Sequence, residues 1–149
     1  MTHSIRDAAL EDAEQIAAFN AAMALETERL ELQPSTVLAG VKAVLGCPEL
    51  GRYYVAQLQD GIYACLLITY EWNDWRNGLV WWIQSAYVTP DKRQQGCFAT
   101  LYEHVKSESV AAGAIGLRLY VERENTRAQR SYKALGMDET YYRLYEELF

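Results

Sequence analysis

Cysteine and histidine are scarce in this chain of 149 residues. The three cysteines, Cys47, Cys65 and Cys97, are odd in number and scattered, and with His3 and His104 they make no C-x-x-C pair or cluster. That spacing argues against a metal site and against a disulfide framework. Long apolar runs are missing too. The first twenty residues, MTHSIRDAALEDAEQIAAFN, carry several acids in place of the apolar core of a signal peptide. No stretch approaches the ~20 apolar residues that span a bilayer. The expectation is a cytoplasmic protein with no membrane partner. Positive charge is in deficit, with 14 Lys and Arg against 20 Asp and Glu for a net charge of −6. Nonspecific nucleic-acid affinity comes mainly from clustered cations, so no nucleic-acid partner is expected, and an amine suits the balance better as a substrate. Repeats, low-complexity tracts and linkers are also absent, which predicts a single domain over residues 1–149 around one core.

What is present reads as an alternation of element types. Ser4 to Arg6 fits a short strand, and Ala13, Ile16, Ala17 and Met23 fall at helical spacing within a first helix from Leu10 to Ala24. Pro34 suits the first turn of a second helix, with Val37, Leu38, Val41, Val44 and Leu45 as its apolar stripe and Gly46 and Pro48 as its stop. Arg52 to Leu58, Ile62 to Glu71 and Leu79 to Val88 are rich in branched and aromatic residues. The turn dipeptides Asp60-Gly61 and Asn77-Gly78 separate them, so they predict a three-stranded antiparallel meander. A helix from Cys97 to Ala112 follows, then an alternating strand in AIGLRLYVE. Asn125 stands as N-cap to a helix from Thr126 to Leu135, and a closing strand is expected from Asp138 to Leu148. The order is α+β rather than a regular βαβ alternation.

The segment from Tyr87 to Ala99 joins a strand end, a basic polar loop with one glycine and a helix start. Unpaired amides and the dipole at a helix N-terminus favour an anion, and Gly96 allows a phosphate close to the backbone. Lys92 and Arg93 add positive charge. No Gly-Lys-Ser/Thr follows and no G-x-G-x-x-G is present, so neither a P-loop nor a dinucleotide fold is indicated.

The stretch VTPDKRQQGCFATLY resembles the acetyl-CoA loop V-x-P-x-x-R-x-x-G-x-G/A of the GNAT family of N-acetyltransferases, with Val88, Pro90, Arg93 and Gly96 in place and Phe98 where the pattern has Gly or Ala. Downstream, LRLYVERENTRAQRSYKALGM is similar to the family's L-x-V-x-x-x-N-x-x-A-x-x-x-Y-x-x-x-G-F, with Leu119, Val121, Asn125, Ala128, Tyr132 and Gly136 in register. The resemblance implies the acyl-CoA N-acyltransferase fold, a mixed, mostly antiparallel sheet flanked by about four helices. It implies acetyl-CoA as co-substrate, no metal, and acetyl transfer to a primary amine of a small molecule or a protein. The cofactor residues it implies are Tyr87, Val88, Arg93, Gln94, Gln95, Gly96, Cys97, Phe98, Ala99 and Asn125. Tyr132 is implied as the acid that protonates the departing CoA thiolate. A phenol, with a reference pKa of about 10, keeps its proton at neutral pH and can donate it.

The residues by themselves leave plainer readings open, with Asn125 as a helix cap and Tyr132 as a core-facing aromatic. Many relatives carry a carboxylate base on the strand that here reads WWIQSAYV, where Gln84 and Ser85 cannot serve. Glu71 is the preferred candidate base, with Asp74, Glu26 and Glu28 as alternatives. Trp72, Trp75, Trp81 and Trp82 crowd the hairpin YEWNDWRNGLVWWIQ, either as an aromatic wall for the acceptor or as a packed hairpin or dimer surface. The acceptor side is thus expected at Trp72, Asp74, Gln84 and Glu28. Cys97 and Ser85 lack a base partner, which favours direct transfer in a ternary complex over an acyl-enzyme. The alternative to an enzyme is a non-catalytic acyl-CoA sensor or interaction module of the same fold, and a homodimer is expected by the family's habit.

Overall fold

The computed structural model describes residues 3–149, and the chain falls into two compact units, Met1–Leu119 and Tyr120–Phe149. The first unit holds the whole sheet, five strands in the order β1-β2-β3-β4-β5: Ser4–Asp7, Arg52–Leu58, Gly61–Asn73, Gly78–Val88 and Gly116–Arg118. The first four pair antiparallel; β5 runs parallel to β4. With α1 (Ala13–Glu28), α2 (Pro34–Gly46), α3 (Cys97–Ala111) and α4 (Thr126–Ala134), the chain has the α+β composition its sequence predicts.

Alternation along the strands assigns the two faces. Ala13, Ile16 and Phe19 of α1 and Val41 of α2 form one buried cluster with Tyr53, Val55, Cys65 and Tyr87. Tyr54, which alternates with Tyr53 and Val55, points the other way and meets His104 of α3 edge-on at 5.4 Å. The α3 residues Leu101 and Val105 are fully buried. Between Leu67 and Ile68 of β3 the register with β4 shifts, so that Leu67 faces Ser85, Ile68 faces Ile83, and Gln84 is the extra residue of a bulge. Beyond the bulge, Trp82 joins Cys65, Leu67, Thr69 and Glu71 on the α1 and α2 face.

Several boundaries differ from expectation. Leu10–Asp12 form a 3-10 turn, and α1 continues four residues past Ala24 until Arg29 adopts a left-handed conformation. The strand expected over AIGLRLYVE shrinks to Gly116–Arg118. The closing strand expected from Asp138 to Leu148 does not form. Strand patterning supplies a face, but a ladder needs a second backbone edge. Within the second unit no strand runs over this segment, and Tyr141, Tyr142, Leu144, Tyr145, Leu148 and Phe149 are exposed.

The second unit is built around α4. The Asn125 side chain accepts from the amide of Ala128 at 3.2 Å as its N-cap. Gly136 at φ +100 closes the other end, where the Met137 amide returns to the Tyr132 carbonyl at 3.0 Å. Ala128, Tyr132 and Leu135 lie along one stripe of this helix.

Candidate functional site

β4 and β5 pair only over Val80–Gly116, Trp81–Leu117 and Trp82–Arg118. β4 then runs on to Val88 while β5 stops, which leaves a fork in the sheet. The Thr89 amide donates to the Tyr63 carbonyl at 2.9 Å, so this pair and, by antiparallel alternation, Cys65–Tyr87 and Leu67–Ser85 are the hydrogen-bonded pairs with β3. Val88 and Ala86 therefore turn their backbone groups to the fork. Tyr87 spends its backbone on β3.

At the end of β4 the chain makes a 3-10 turn over Pro90–Lys92, and two left-handed residues, Gln94 at φ +62 and Gly96 at φ +79, bring it into α3. Residues of alternating hand turn successive amides into one concavity. The first bond inside α3 runs from the Thr100 amide to the Gly96 carbonyl at 3.0 Å, so the amides of the first turn have no acceptor within the helix. A Cβ built on Gly96 meets nothing within 4 Å, and the mouth of the concavity is open space. Side chains brace the loop from behind. Gln95 donates to the Asp91 carbonyl at 3.0 Å, and the Cys97 thiol to the Lys92 carbonyl at 3.2 Å. Phe98 and Ala99 are half-buried in the first turn.

Arg93 points away from that concavity. Its Nε donates to the Val88 carbonyl at 2.9 Å, its Nη2 to Glu26 at 2.8 Å, and its guanidinium carbon lies 5.2 Å from the centre of the Tyr87 ring. The Tyr87 hydroxyl donates to the same Glu26 at 3.3 Å, and its ring stacks on Phe19 at 5.2 Å. Burial first, then the charge of Glu26, pushes the Tyr87 phenol above its ordinary value. Arg93 therefore ties the loop to the end of α1. What the loop offers an anion is backbone.

On the α1 and α2 face, at the last paired rung of the fork, Glu71 accepts from the Trp82 indole at 2.7 Å and from Arg118 Nη1 at 2.8 and 3.1 Å. Gln84 sits two residues further along β4, half-buried in the bulge. Trp72 and Asp74 are exposed where β3 turns toward β4, and Glu28 is exposed at the last turn of α1. The acceptor candidates thus divide between the fork and the periphery. Arg118 carries no motif that marks it in the sequence. The available signal was a cation between Leu117 and Leu119 in a strand otherwise read for its apolar face.

In the second unit, burial raises the Tyr132 phenol above its ordinary value, which keeps its proton in place at neutral pH. Asn125 is engaged as the cap of α4. Among the described residues no group of three or more His, Cys, Asp or Glu side chains is placed to hold a metal ion, and no helix is long and apolar enough to cross a membrane.

Compared with known proteins, residues 9–137 match the family described as "Acetyltransferase (GNAT) family". The fold is similar over 100% of this chain and 99% of the other to a possible acetyltransferase from Clostridium difficile 630, at 40% identity and a TM-score of 0.93. It is similar to the aminoglycoside N-acetyltransferase AAC(6')-Iy in complex with CoA, at 18% identity, 99% and 95% coverage and a TM-score of 0.81. A ribosomal-protein-alanine N-acetyltransferase from Brucella melitensis biovar Abortus 2308 matches at 14% identity, 99% and 100% coverage and a TM-score of 0.78. No curated protein sequence matches the chain.

Proposed function

This chain belongs to the acetyltransferase (GNAT) family, and we propose that it transfers an acetyl group from acetyl-CoA to a primary amine by direct attack in a ternary complex. The observation that carries the reading is the pairing of two backbone features on one path. The β4 edge at Ala86 and Val88 is turned to the fork, and the left-handed turn at Gln94 and Gly96 opens the amides of the α3 start just beyond it. An extended amide-bearing arm that ends in a pyrophosphate fits such a path, with the arm bonding to strand backbone and the diphosphate resting on the amides.

The neutral amine attacks the thioester carbonyl; a C–N bond forms, the C–S bond breaks, the amine loses one proton and the CoA thiolate gains one. Tyr132 supplies the second proton, on the register of its motif and on the burial that holds its phenol protonated. Glu71 is the proposed destination of the first, because it is the carboxylate that stands at the fork. Gln94 to Ala99 supply the phosphate contacts, Asn125 contacts the cofactor arm, and Gln84 and Trp72 face the acceptor. Residues 1–149 are proposed as a single N-acetyltransferase domain, in a cytoplasmic homodimer.

A non-catalytic acyl-CoA sensor is the second reading, favoured by the three hydrogen bonds that Glu71 already accepts. Thiol release from acetyl-CoA in the presence of an amine panel separates the two. Turnover that Tyr132→Phe lowers, with CoA affinity retained, supports the enzyme. Tight acetyl-CoA binding without turnover for any amine supports the sensor.

A further inference from the structure

The polar group at the root of the fork is an ion pair, and its stoichiometry is uneven. Glu71 Oε1 accepts from both Trp82 Nε1 (2.7 Å) and Arg118 Nη1 (3.1 Å), whereas Oε2 accepts only from Arg118 Nη1 (2.8 Å). A carboxylate has about four acceptor sites, so one on Oε2 is unspent. A guanidinium has five donors in a fixed fork. Arg118 commits only Nη1, and its Nε and Nη2 donate to no side chain or carbonyl among the described residues. The two groups keep 35% and 32% of their side-chain surface exposed, so a ligand can reach both. A pair at this exposure does little for the fold, because its Coulomb gain is offset by ordering and partial desolvation.

The charges decide what such a pair selects. A lone carboxylate at the fork attracts any cation, including a polyamine. Glu71 with Arg118 is neutral as a unit and presents both signs side by side, so an acceptor of several positive charges meets Arg118 unfavourably. An acceptor with an ammonium and a carboxylate on one carbon matches both halves. Its ammonium donates to Glu71 Oε2, and its carboxylate accepts from Nε and Nη2 of Arg118 in the paired geometry that guanidinium favours. Trp82 Nε1 holds Glu71 in place through the other oxygen. The geometry points to Glu71 and Arg118 as a zwitterion receptor, and to a free amino acid, or a small molecule with the same ammonium-carboxylate pair, as the acceptor class. This assignment rests on the acetyl-transfer reading and deepens it by naming the substrate class of the same site. The reaction keeps its balance: the ammonium gives up one proton to become the attacking amine, and the acceptor's carboxylate is unchanged in the product.

The test uses the full chain. Acetyl-CoA binding is measured first by calorimetry, and then kcat/KM for three matched sets: the common amino acids, their carboxamides, and the corresponding amines without the carboxyl group. The expected result is that at least one amino acid exceeds both of its carboxylate-free counterparts by about tenfold or more, as a site built for a polar group discriminates against analogues that lack it. Arg118→Gln should erase that preference chiefly through KM. Arg118→Lys should restore part of it, because the charge returns without the fork. Folding of each variant is checked by circular dichroism, and Glu71→Gln is the second variant should Arg118→Gln fail to fold. Equal or better transfer to the carboxylate-free amines overturns the zwitterion receptor and leaves the transferase reading intact. Transfer to no member of the panel overturns it as well. Failure to bind acetyl-CoA overturns both together.

Discussion

Gly96 shows how one residue sets the loop. Its φ of +79 is left-handed backbone that glycine adopts freely, and an added Cβ meets no atom within 4 Å. Gly96→Ala is therefore opposed by backbone strain alone, about 1 kcal/mol, and is expected to lower the melting temperature slightly while cofactor binding survives, as thermal unfolding and calorimetry would show. Tyr132 carries a chemical prediction. Tyr132→Phe should lower kcat by about a hundredfold, the low end for a positioned acid, and leave the CoA Kd unchanged. Burial raises the Tyr132 phenol, so the protonated, active form persists to higher pH than for an ordinary tyrosine. The alkaline limb of the kcat profile is expected above pH ~10 and should vanish in the Phe variant. Asp12 carries a stability prediction. Its carboxylate accepts two bonds from Arg6, at 2.8 and 3.0 Å, and one from the Ala9 amide at 2.7 Å. The Arg6 hydrogen bonds above all hold its pKa below the usual carboxylate value, against the opposing effect of burial. A folded pKa below the unfolded one contributes stability that is complete above pH ~4 and is lost as pH falls through the depressed value. Asp12→Asn should cost about 2 kcal/mol at pH 7 and flatten the acid limb of a urea-denaturation series taken against pH. Single residues were legible where a motif named them, as at Gly96. Arg118 and the tie of Glu26 to Arg93 were obscured because the partners lie 47 and 67 positions apart in the chain.

Whole elements were legible where pattern and punctuation agreed. The meander from Arg52 to Val88 follows its turn dipeptides, and α2 starts at Pro34 and ends at Gly46 as its stripe predicts. The bulge at Gln84 left no trace in composition, since it arises from the register of two strands rather than from a residue type. The closing strand misled because hydrophobic alternation reports a face and says nothing of a backbone partner. Two glycines, Gly51 and the Gly78 of a turn dipeptide, are held by close approach of neighbouring chain. A Cβ on Gly51 runs into the backbone carbonyl of Ile68, which cannot turn aside. One on Gly78 meets the Ile115 side chain at 2.5 Å, which gives more readily than backbone does. Gly51→Ala should therefore destabilise the sheet by about 2 kcal/mol or more and Gly78→Ala by less, an order that paired urea titrations would establish.

At the scale of the whole molecule, the tyrosines and leucines of residues 141–149 stay exposed along one short segment. Exposed apolar groups in such concentration mark interaction surfaces, and a second copy of the chain is the proposed cover. Deletion of residues 138–149 is expected to convert a dimer to a monomer by light scattering, and a full-length chain that is monomeric at every concentration would refute this. The fork and the α3 start are proposed to hold acetyl-CoA. Calorimetric titration with acetyl-CoA, repeated on Gly96→Glu, is the test. Saturable binding at a single site is expected in the parent protein, with loss of that binding when a bulky negative charge is set at the mouth of the amide concavity. No heat at millimolar acetyl-CoA, or equal affinity in Gly96→Glu, would contradict it.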